Sequence, residues 1–398
     1  MRVYFDLARN DEAEAMAAAA TDLLEPLGDS VELADALRTS GWLRWRTGDA
    51  AEAELVLRRA VEIAARVDAP VVLADAMMDL GVALSMLGRK DECVQTMDEA
   101  YRLAKAAGDL NVLMRIYINY PATGLNWVSD FTKIIEVSAE GVELARKAGS
   151  LQNVAWQLGN LCDTMAQQSG PNDEARAMAI EAVEIAQRVG DEPLLGMRLC
   201  GLAVILALRG EVGEAATGLG RAVPLAAANP DPQLRLVLEY ARGVLALIVD
   251  DSDESVRAFR ASADIGQSFH AEALPEVFPP LIRTLLFRGD RDTAMSYTDL
   301  IDGARSPFGM ALGRVVEGLL ESDPAMAVTV LTDATERLDA LGNTMELGWA
   351  LLDLAKAQAA SGLDPAATLQ TARDRFAKAE AFGCLPHVDA VEQALTAS

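Results

Sequence analysis

Turn-forming residues divide the chain into helical segments at regular intervals. The apolar positions between the turns hold mostly Ala and Leu, which favour helix, and β-branched runs with alternating polarity are nearly absent. Most neighbouring turns lie about forty residues apart. The turns are Gly48-Asp49, Gly88-Arg89, Ser129-Asp130, Gly170-Pro171, Gly210-Glu211, Asp250-Asp251, Gly289-Asp290, Ser322-Asp323 and Gly362-Leu363. The pattern predicts an all-α repeat protein.

Small residues recur at two fixed positions relative to these turns. An acidic residue or Asn follows most turns and suits the N-cap of a helix. The first small-residue series follows that cap: Ala53, Cys93, Ala175, Ala215, Ser255, Ala294, Ala327 and Ala367. The second series is Ala20, Ala60, Ala100, Gly141, Ala182, Ala222, Ser262, Ala334 and Ala372. Because the two series keep step, each unit is predicted to be a first helix, a tight turn, a second helix and a longer loop.

Two consecutive units show the consensus most clearly. One unit has Leu37, Ser40, Gly41, Arg44, Gly48, Ala53, Leu57 and Ala60, and the next has Met77, Leu80, Gly81, Leu84, Gly88, Cys93, Met97 and Ala100. These residues resemble the tetratricopeptide repeat, in which small residues lie where two helices cross. The resemblance covers nearly the whole chain and implies a right-handed α-α superhelix of about nine helical hairpins.

The repeat unit of this chain is longer than the usual tetratricopeptide unit. It is similar to the long-unit solenoid of MalT-like and other large ATP-binding LuxR-type regulators, as are the segments 117–125 and 372–376. In those regulators the solenoid senses an effector or a partner, which implies a sensor or interaction role in signalling or transcription. The chain has no GxxxxGK[ST] phosphate-binding sequence, and only a short helix is predicted after Phe382. It is either a stand-alone solenoid or the sensor portion of a larger regulator.

The predicted organisation is a single solenoid over residues 1–398. Residues 1–28 are a capping or partial repeat, residues 29–270 are regular repeats, and residues 271–398 are less regular repeats with a final capping helix. Proline and glycine within 121–130 predict an interrupted helix. Prolines within 274–280 predict a broken or late-starting helix.

Charge and composition exclude several functions. The net charge is −25, from 60 acidic and 35 basic residues, which disfavours nucleic acids and anionic membranes as partners. Four cysteines without CxxC spacing predict neither a disulfide framework nor a zinc site. No cofactor is predicted. With no signal peptide or membrane-spanning stretch in the sequence, the expected location is the cytoplasm.

The first helices of the units are expected to line a concave groove that takes a protein, a peptide or a small effector. Tryptophan and arginine dominate binding hot spots, and asparagine can bond a peptide backbone. The candidate groove residues are Asp35, Arg38, Trp42, Trp45, Arg46, Asp75, Met78, Asn119, Asn126, Trp127, Trp156 and Asn160. Trp and Met at helical spacing are equally compatible with core packing.

Two alternative functions remain open from the sequence. The chain could be a structural scaffold that associates with itself, for example as a homodimer. It could be an enzyme that uses an acidic pair in the groove, such as Asp163 with Asp35 or Asp75. The acidic run at 250–254 resembles a calcium loop but lacks the EF-hand spacing, so helix capping is the preferred interpretation.

Overall fold

The computed structural model describes residues 10–125, 131–229, 232–269, 275–298 and 306–396. Within these ranges the regular structure is entirely helical, which confirms the predicted fold class. The chain forms two compact units. The N-terminal unit comprises residues 1–127 with 269–271, and the C-terminal unit comprises residues 128–268 and 272–398. The division of one solenoid into a cap, regular repeats and irregular repeats stays a prediction.

Helices pack in consecutive pairs within each unit. The helices up to residue 125 are α1 (Asn10–Leu24), α2 (Val31–Arg46), α3 (Ala50–Arg66), α4 (Pro70–Met86), α5 (Lys90–Ala107) and α6 (Leu110–Leu125). Even-numbered helices from α2 to α18 are the first helices of the hairpins. In the N-terminal unit α4 contacts both α2 and α6, so these three form one layer.

The C-terminal unit continues the same alternation. Its helices are α7 (Phe131–Lys147), α8 (Leu151–Gln168), α9 (Asp173–Val189), α10 (Glu192–Leu208), α11 (Val212–Ala228), α12 (Pro232–Ile248), α13 (Ser252–Phe269), α14 (Phe278–Phe287), α15 (Arg291–Met295), α16 (Pro307–Leu320), α17 (Pro324–Ala340), α18 (Thr344–Ala360), α19 (Ala366–Lys378) and α20 (Leu385–Thr396). Short 3-10 turns cover Pro275–Val277 and Phe382–Cys384. None of the helices in the described ranges is long and apolar enough to cross a membrane.

Side-chain caps start many of the helices where the turn pattern predicted them. The carboxylates of Asp49 and Asp290 accept from the backbone N–H groups of Glu52 and Thr293, each at 3.2 Å. Such a bond satisfies one of the free donors at the start of a helix. The turn glycine Gly48 has φ +95°, a left-handed conformation that glycine adopts without steric cost. These residues fix where each hairpin reverses.

Glycines on the first helices allow the two helices of a hairpin to approach each other closely. A Cβ on Gly243 would lie 2.7 Å from the ring of Phe259, and one on Gly348 would lie 2.5 Å from the ring of Phe376. Gly41, Gly81 and Gly318 meet Leu57, Met97 and Leu331 in the same way. A large side chain of the second helix therefore packs directly on the backbone of the first.

The two small-residue series are buried as the repeat requires, with two departures. Ala53, Ala60, Ala215 and Ala222, for example, have no exposed area. Ala20 is only half-buried, and Ala367 is exposed because Leu369 provides the buried position at that point of α19. All four cysteines are free and buried, so they pack as small core residues.

The end of the C-terminal unit packs against its beginning. Helix α18 contacts α8, and the turn Phe382–Cys384 contacts α10. Arg209 Nη1 donates to Glu380 Oε2 at 2.8 Å, across 171 residues of sequence. The rings of Phe131 and Phe308 meet edge to face with centroids 6.1 Å apart. Segments of the C-terminal unit that are distant in sequence thus contact one another.

Two predicted irregularities have different outcomes. The late helix start before residue 278 is confirmed, because a 3-10 turn precedes the ten-residue helix α14. The predicted interruption at Pro121 is wrong, since α6 continues through Pro121 to Leu125. Burial of Tyr117 and Tyr120 on the same helix offsets the one backbone hydrogen bond that proline removes. Residues 126–130 lie outside the described ranges.

The close approach at Gly348 gives a matched test of this packing. Gly348→Ala is expected to lower the free energy of unfolding by about 1–3 kcal/mol, because Phe376 is fully buried and cannot move aside. Gly313→Ala on α16 meets nothing within 4 Å and is expected to raise stability by up to about 1 kcal/mol. Urea unfolding of both variants measures the difference, and equal effects would contradict the close-contact account.

Candidate functional site

A network of ion pairs joins three first helices in the N-terminal unit. At its centre is Asp79 on α4, whose side chain has no exposed area. Arg115 on α6 donates from Nη2 to both carboxylate oxygens, at 2.8 and 3.0 Å. Arg38 on α2 donates from Nη1 at 3.3 Å, and the indole Nε1 of Trp45 donates at 3.3 Å. Asp79 therefore ties α2, α4 and α6 together.

Two further aspartates extend the network towards its exposed side. Asp75, one turn before Asp79 on α4, pairs with Arg115 Nη1 and lies 3.3 Å from Arg38 Nε. Asp35 accepts from Arg38 Nε at 2.9 Å, and its side chain is 56% exposed. Three carboxylates thus surround two guanidinium groups, which leaves the network with one excess negative charge.

Burial and charge act against each other in this network. Burial raises the pKa of Asp75 above its ordinary value, while the charge of Arg115 opposes the shift. Burial acts to lower the pKa of Arg38, but the charges of Asp79, Asp75 and Asp35 outweigh it and the pKa is raised. The two arginines are therefore charged and held in fixed positions on the layer formed by α2, α4 and α6.

Several predicted groove residues are on or beside this network. Asp35 is exposed, and Trp42, Arg46 and Asn119 are half-buried. The guanidinium carbon of Arg46 lies 5.7 Å from the ring centre of Trp45. The amide of Asn119 donates to the carbonyl of Arg115 at 2.9 Å.

Two predicted residues have positions that correct the sequence interpretation. Met78 has no exposed area and belongs to the core, because its position on α4 faces inwards between helices. Trp45 is 6% exposed and bonds Asp79, so it supports the network and presents little surface. The core alternative considered for Trp and Met thus describes these two side chains.

The remaining predicted residues are in the C-terminal unit or outside the described ranges. Trp156 and Asn160 are half-buried on α8. The guanidinium carbon of Arg198 on α10 lies 5.3 Å from the ring centre of Trp156, a cation–π contact. Asn126 and Trp127 lie outside the described residues. A groove shared by all twelve candidates stays a prediction, and so does the pairing of Asp163 with Asp35 or Asp75.

Asp163 has its own partner within the C-terminal unit. Arg198 Nη1 lies 3.9 Å from Asp163 Oδ2, and the guanidinium occupies the space that a side chain at Gly159 would fill. Burial raises the pKa of Asp163, and Arg198 opposes that shift. The glycine on α8 thus admits a buried arginine from α10.

Sequence reasoning missed Asp79, Arg115 and Arg198, which are buried or half-buried charged residues on first helices. One signal was present: Arg38 and Asp79 are 41 residues apart, and Asp79 and Arg115 are 36 apart. Charges of opposite sign at one-repeat spacing on first helices fall on adjacent helices of a solenoid.

The acidic run and the histidine on α20 have structural roles. In the acidic run, Asp251 accepts from the N–H of Glu254 at 3.1 Å, which confirms helix capping. His387 packs edge to face on Trp349, with centroids 5.2 Å apart. Among the described residues, no group of His, Cys, Asp and Glu could hold a metal ion.

Comparison with known proteins rests on solved structures. No family model matches the chain, and no curated protein matches its sequence. A Rap protein complexed with competence and sporulation factor is 13% identical, with a TM-score of 0.62 over 92% of this chain and 99% of that one. At this identity the likeness shows the fold alone. The chain has the fold of a tetratricopeptide-like solenoid.

Two other solved structures are more distant. Aspartyl phosphate phosphatase F from Bacillus subtilis is 14% identical, with a TM-score of 0.49 over 92% of this chain and 94% of that one. A STAND protein with a tetratricopeptide repeat sensor from Pyrococcus horikoshii is 13% identical, with a TM-score of 0.41. The match covers 99% of this chain and 47% of that protein, about half its length.

Removing the central charge tests the network. Asp79→Asn is expected to destabilise the protein by about 1–3 kcal/mol, because it removes a buried charged acceptor from two half-buried guanidinium groups that keep Asp75 as a partner. Asp35→Asn removes an exposed partner of Arg38 and is expected to cost less than about 1 kcal/mol. Urea unfolding measures both, and a small effect at Asp79 would show that the network contributes little to stability.

Proposed function

We propose that this chain is a non-catalytic solenoid that binds a protein, a peptide or a small effector. It would serve as the sensor or interaction part of a signalling or transcriptional regulatory system in the cytoplasm. The observation that carries the proposal is the ion network across α2, α4 and α6, which holds charged and aromatic side chains in fixed positions on one layer. A fixed surface of this kind loses little entropy when a partner binds.

The side chains of that layer suit a polar peptide or protein segment that also carries apolar groups. Trp42 offers an aromatic surface, Asn119 an amide, and Asp35 and Arg46 charges of both signs. Mixed charge beside a tryptophan is typical of binding hot spots for proteins and peptides. The net charge of −25 favours partners other than nucleic acids and anionic membranes.

The solved structures add one supporting fact. The Rap protein with the same fold was crystallised in complex with competence and sporulation factor, so this architecture holds a bound factor in that protein. The long-unit solenoids that this sequence resembles act as sensors within larger regulators. Both favour binding over catalysis for the present chain.

Self-association is the second candidate function. Leu23 and Leu27, near the end of the first described helix, are 75% and 77% exposed, and Phe287 is 85% exposed. Exposed apolar side chains of this size are frequent at contacts between protein subunits. A mass in solution that increases with protein concentration would support the scaffold alternative.

Native mass spectrometry on protein purified gently from its own host tests the proposal. A co-purifying peptide, protein or small molecule is expected. Trp42→Ala and Arg46→Ala are expected to weaken its binding by about tenfold or more, because each removes a side chain from the fixed layer. Arg102→Ala on α5 is the matched control, since Arg102 is 64% exposed and pairs only locally with Glu99. Retained binding in both layer variants would contradict the proposal.

A further inference from the structure

A cleft of about 460 Å³ lies in the C-terminal unit, between the second helix α13 and the end of α14. One face of α13 lines it, because residues three and four apart in sequence lie on the same side of a helix. The other lining residues, Leu285, Arg288 and Asp290, lie at the end of α14 and in the turn that follows it. The volume is in the range of about 300–1,000 Å³ that small-molecule sites have. The residues of the α13 face are Asp253, Val256, Arg257, Arg260, Ala261 and Asp264.

Apolar side chains form part of the cleft wall, and charged side chains form the remainder. Leu285 is 1% exposed, and Val256 and Ala261 are half-buried. A ligand with an apolar part would therefore cover apolar area that Val256 and Ala261 still expose to solvent, which favours binding.

Arg260 lines the cleft without a counter-ion. It is half-buried, and among the described residues no carboxylate lies within 4.0 Å of its guanidinium nitrogens. Its Nε is enclosed by the protein and makes no hydrogen bond. Burial raises the pKa of the Tyr297 phenol and Arg260 opposes that shift, so the guanidinium lies beside a neutral group. The charge of Arg260 is thus available to an anion that enters the cleft.

The two other arginines of the cleft are already held by carboxylates. Arg257 donates from Nε to Glu254 at 2.6 Å. Arg288 pairs with Asp253 and so joins the turn after α14 to the first turn of α13. These pairs fix the walls of the cleft, and among its lining residues they leave Arg260 as the arginine without an acidic partner.

The carboxylates of the lining limit the charge that a ligand can carry. Asp253 is ion-paired, and Asp290 accepts from a backbone N–H at the start of α15. Asp264, one turn after Arg260 on α13, is exposed. A ligand with one negative charge can pair with Arg260, whereas a second negative charge would be repelled by these carboxylates. The cleft therefore favours a monoanion over a dianion such as hydrogen phosphate.

We propose that this cleft binds a small carboxylic acid as its carboxylate. The carboxylate would accept hydrogen bonds from the two terminal nitrogens of Arg260, because both groups are planar and match in geometry. The apolar part of the acid would lie over Val256, Ala261 and Leu285. The site is separate from the first-helix layer of the proposed function, so each of the two proposals can fail without the other.

Isothermal titration calorimetry on the full chain tests the chemistry of the ligand. The probes are the linear monocarboxylates from acetate to octanoate, together with benzoate. At least one acid is expected to bind, and its amide, which has nearly the same shape but no charge, is expected to bind at least about tenfold more weakly. Inorganic phosphate is expected not to compete. Absence of binding by every acid, equal binding of acid and amide, or competition by phosphate overturns the proposal.

Variants assign the binding to the cleft. Arg260→Gln is expected to weaken binding of the best acid by about tenfold or more, because it removes the charged donor. Arg337→Gln makes the same change at an exposed position of another second helix, α17, and is expected to leave the affinity unchanged. Circular dichroism checks folding, and Ala261→Leu, whose larger side chain would occupy the cleft, replaces Arg260→Gln with the same expectation if the latter does not fold. Unchanged affinity in the folded variant overturns the proposal.

Discussion

The close approach of paired helices is the constraint on which the rest of the structure depends. Five hairpins place a glycine of the first helix under a large side chain of the second, as Gly348 lies under Phe376. Dispersion contacts in such an interface are numerous only when the backbones are near. Where hairpins share this geometry, neighbouring first helices of one unit can lie side by side, as α2, α4 and α6 do. Charged residues one repeat apart then meet, as Arg38, Asp79 and Arg115 do.

The charged residues on the first helices are paired differently in the two units. In the N-terminal unit two guanidinium groups compensate most of the buried carboxylate charge, and the network is closed by the indole of Trp45. In the C-terminal unit the buried arginines form separate pairs, Arg198 with Asp163 at 3.9 Å and Arg283 with Asp353 at 2.6 Å.

Local features of the fold could be predicted from the sequence because they depend on neighbouring residues. Turn glycines such as Gly48 and caps such as Asp49 and Asp290 specify their own conformation. The candidate site was predicted in part: Arg38 and Asp75 lie in the network, but Met78 faces the core because a shift of one residue on a helix turns a side chain by about 100°. The contact of Arg209 with Glu380 depends on the path of many repeats, which no local pattern specifies.

The central claim is that the first-helix layer of the N-terminal unit binds the partner. Hydrogen–deuterium exchange on the protein with and without its co-purified partner measures this directly. The account predicts added protection in α2, α4 and α6, centred on residues 31–46, 70–86 and 110–125. Protection confined to the second helices α3 and α5, or no change in this unit, would contradict it.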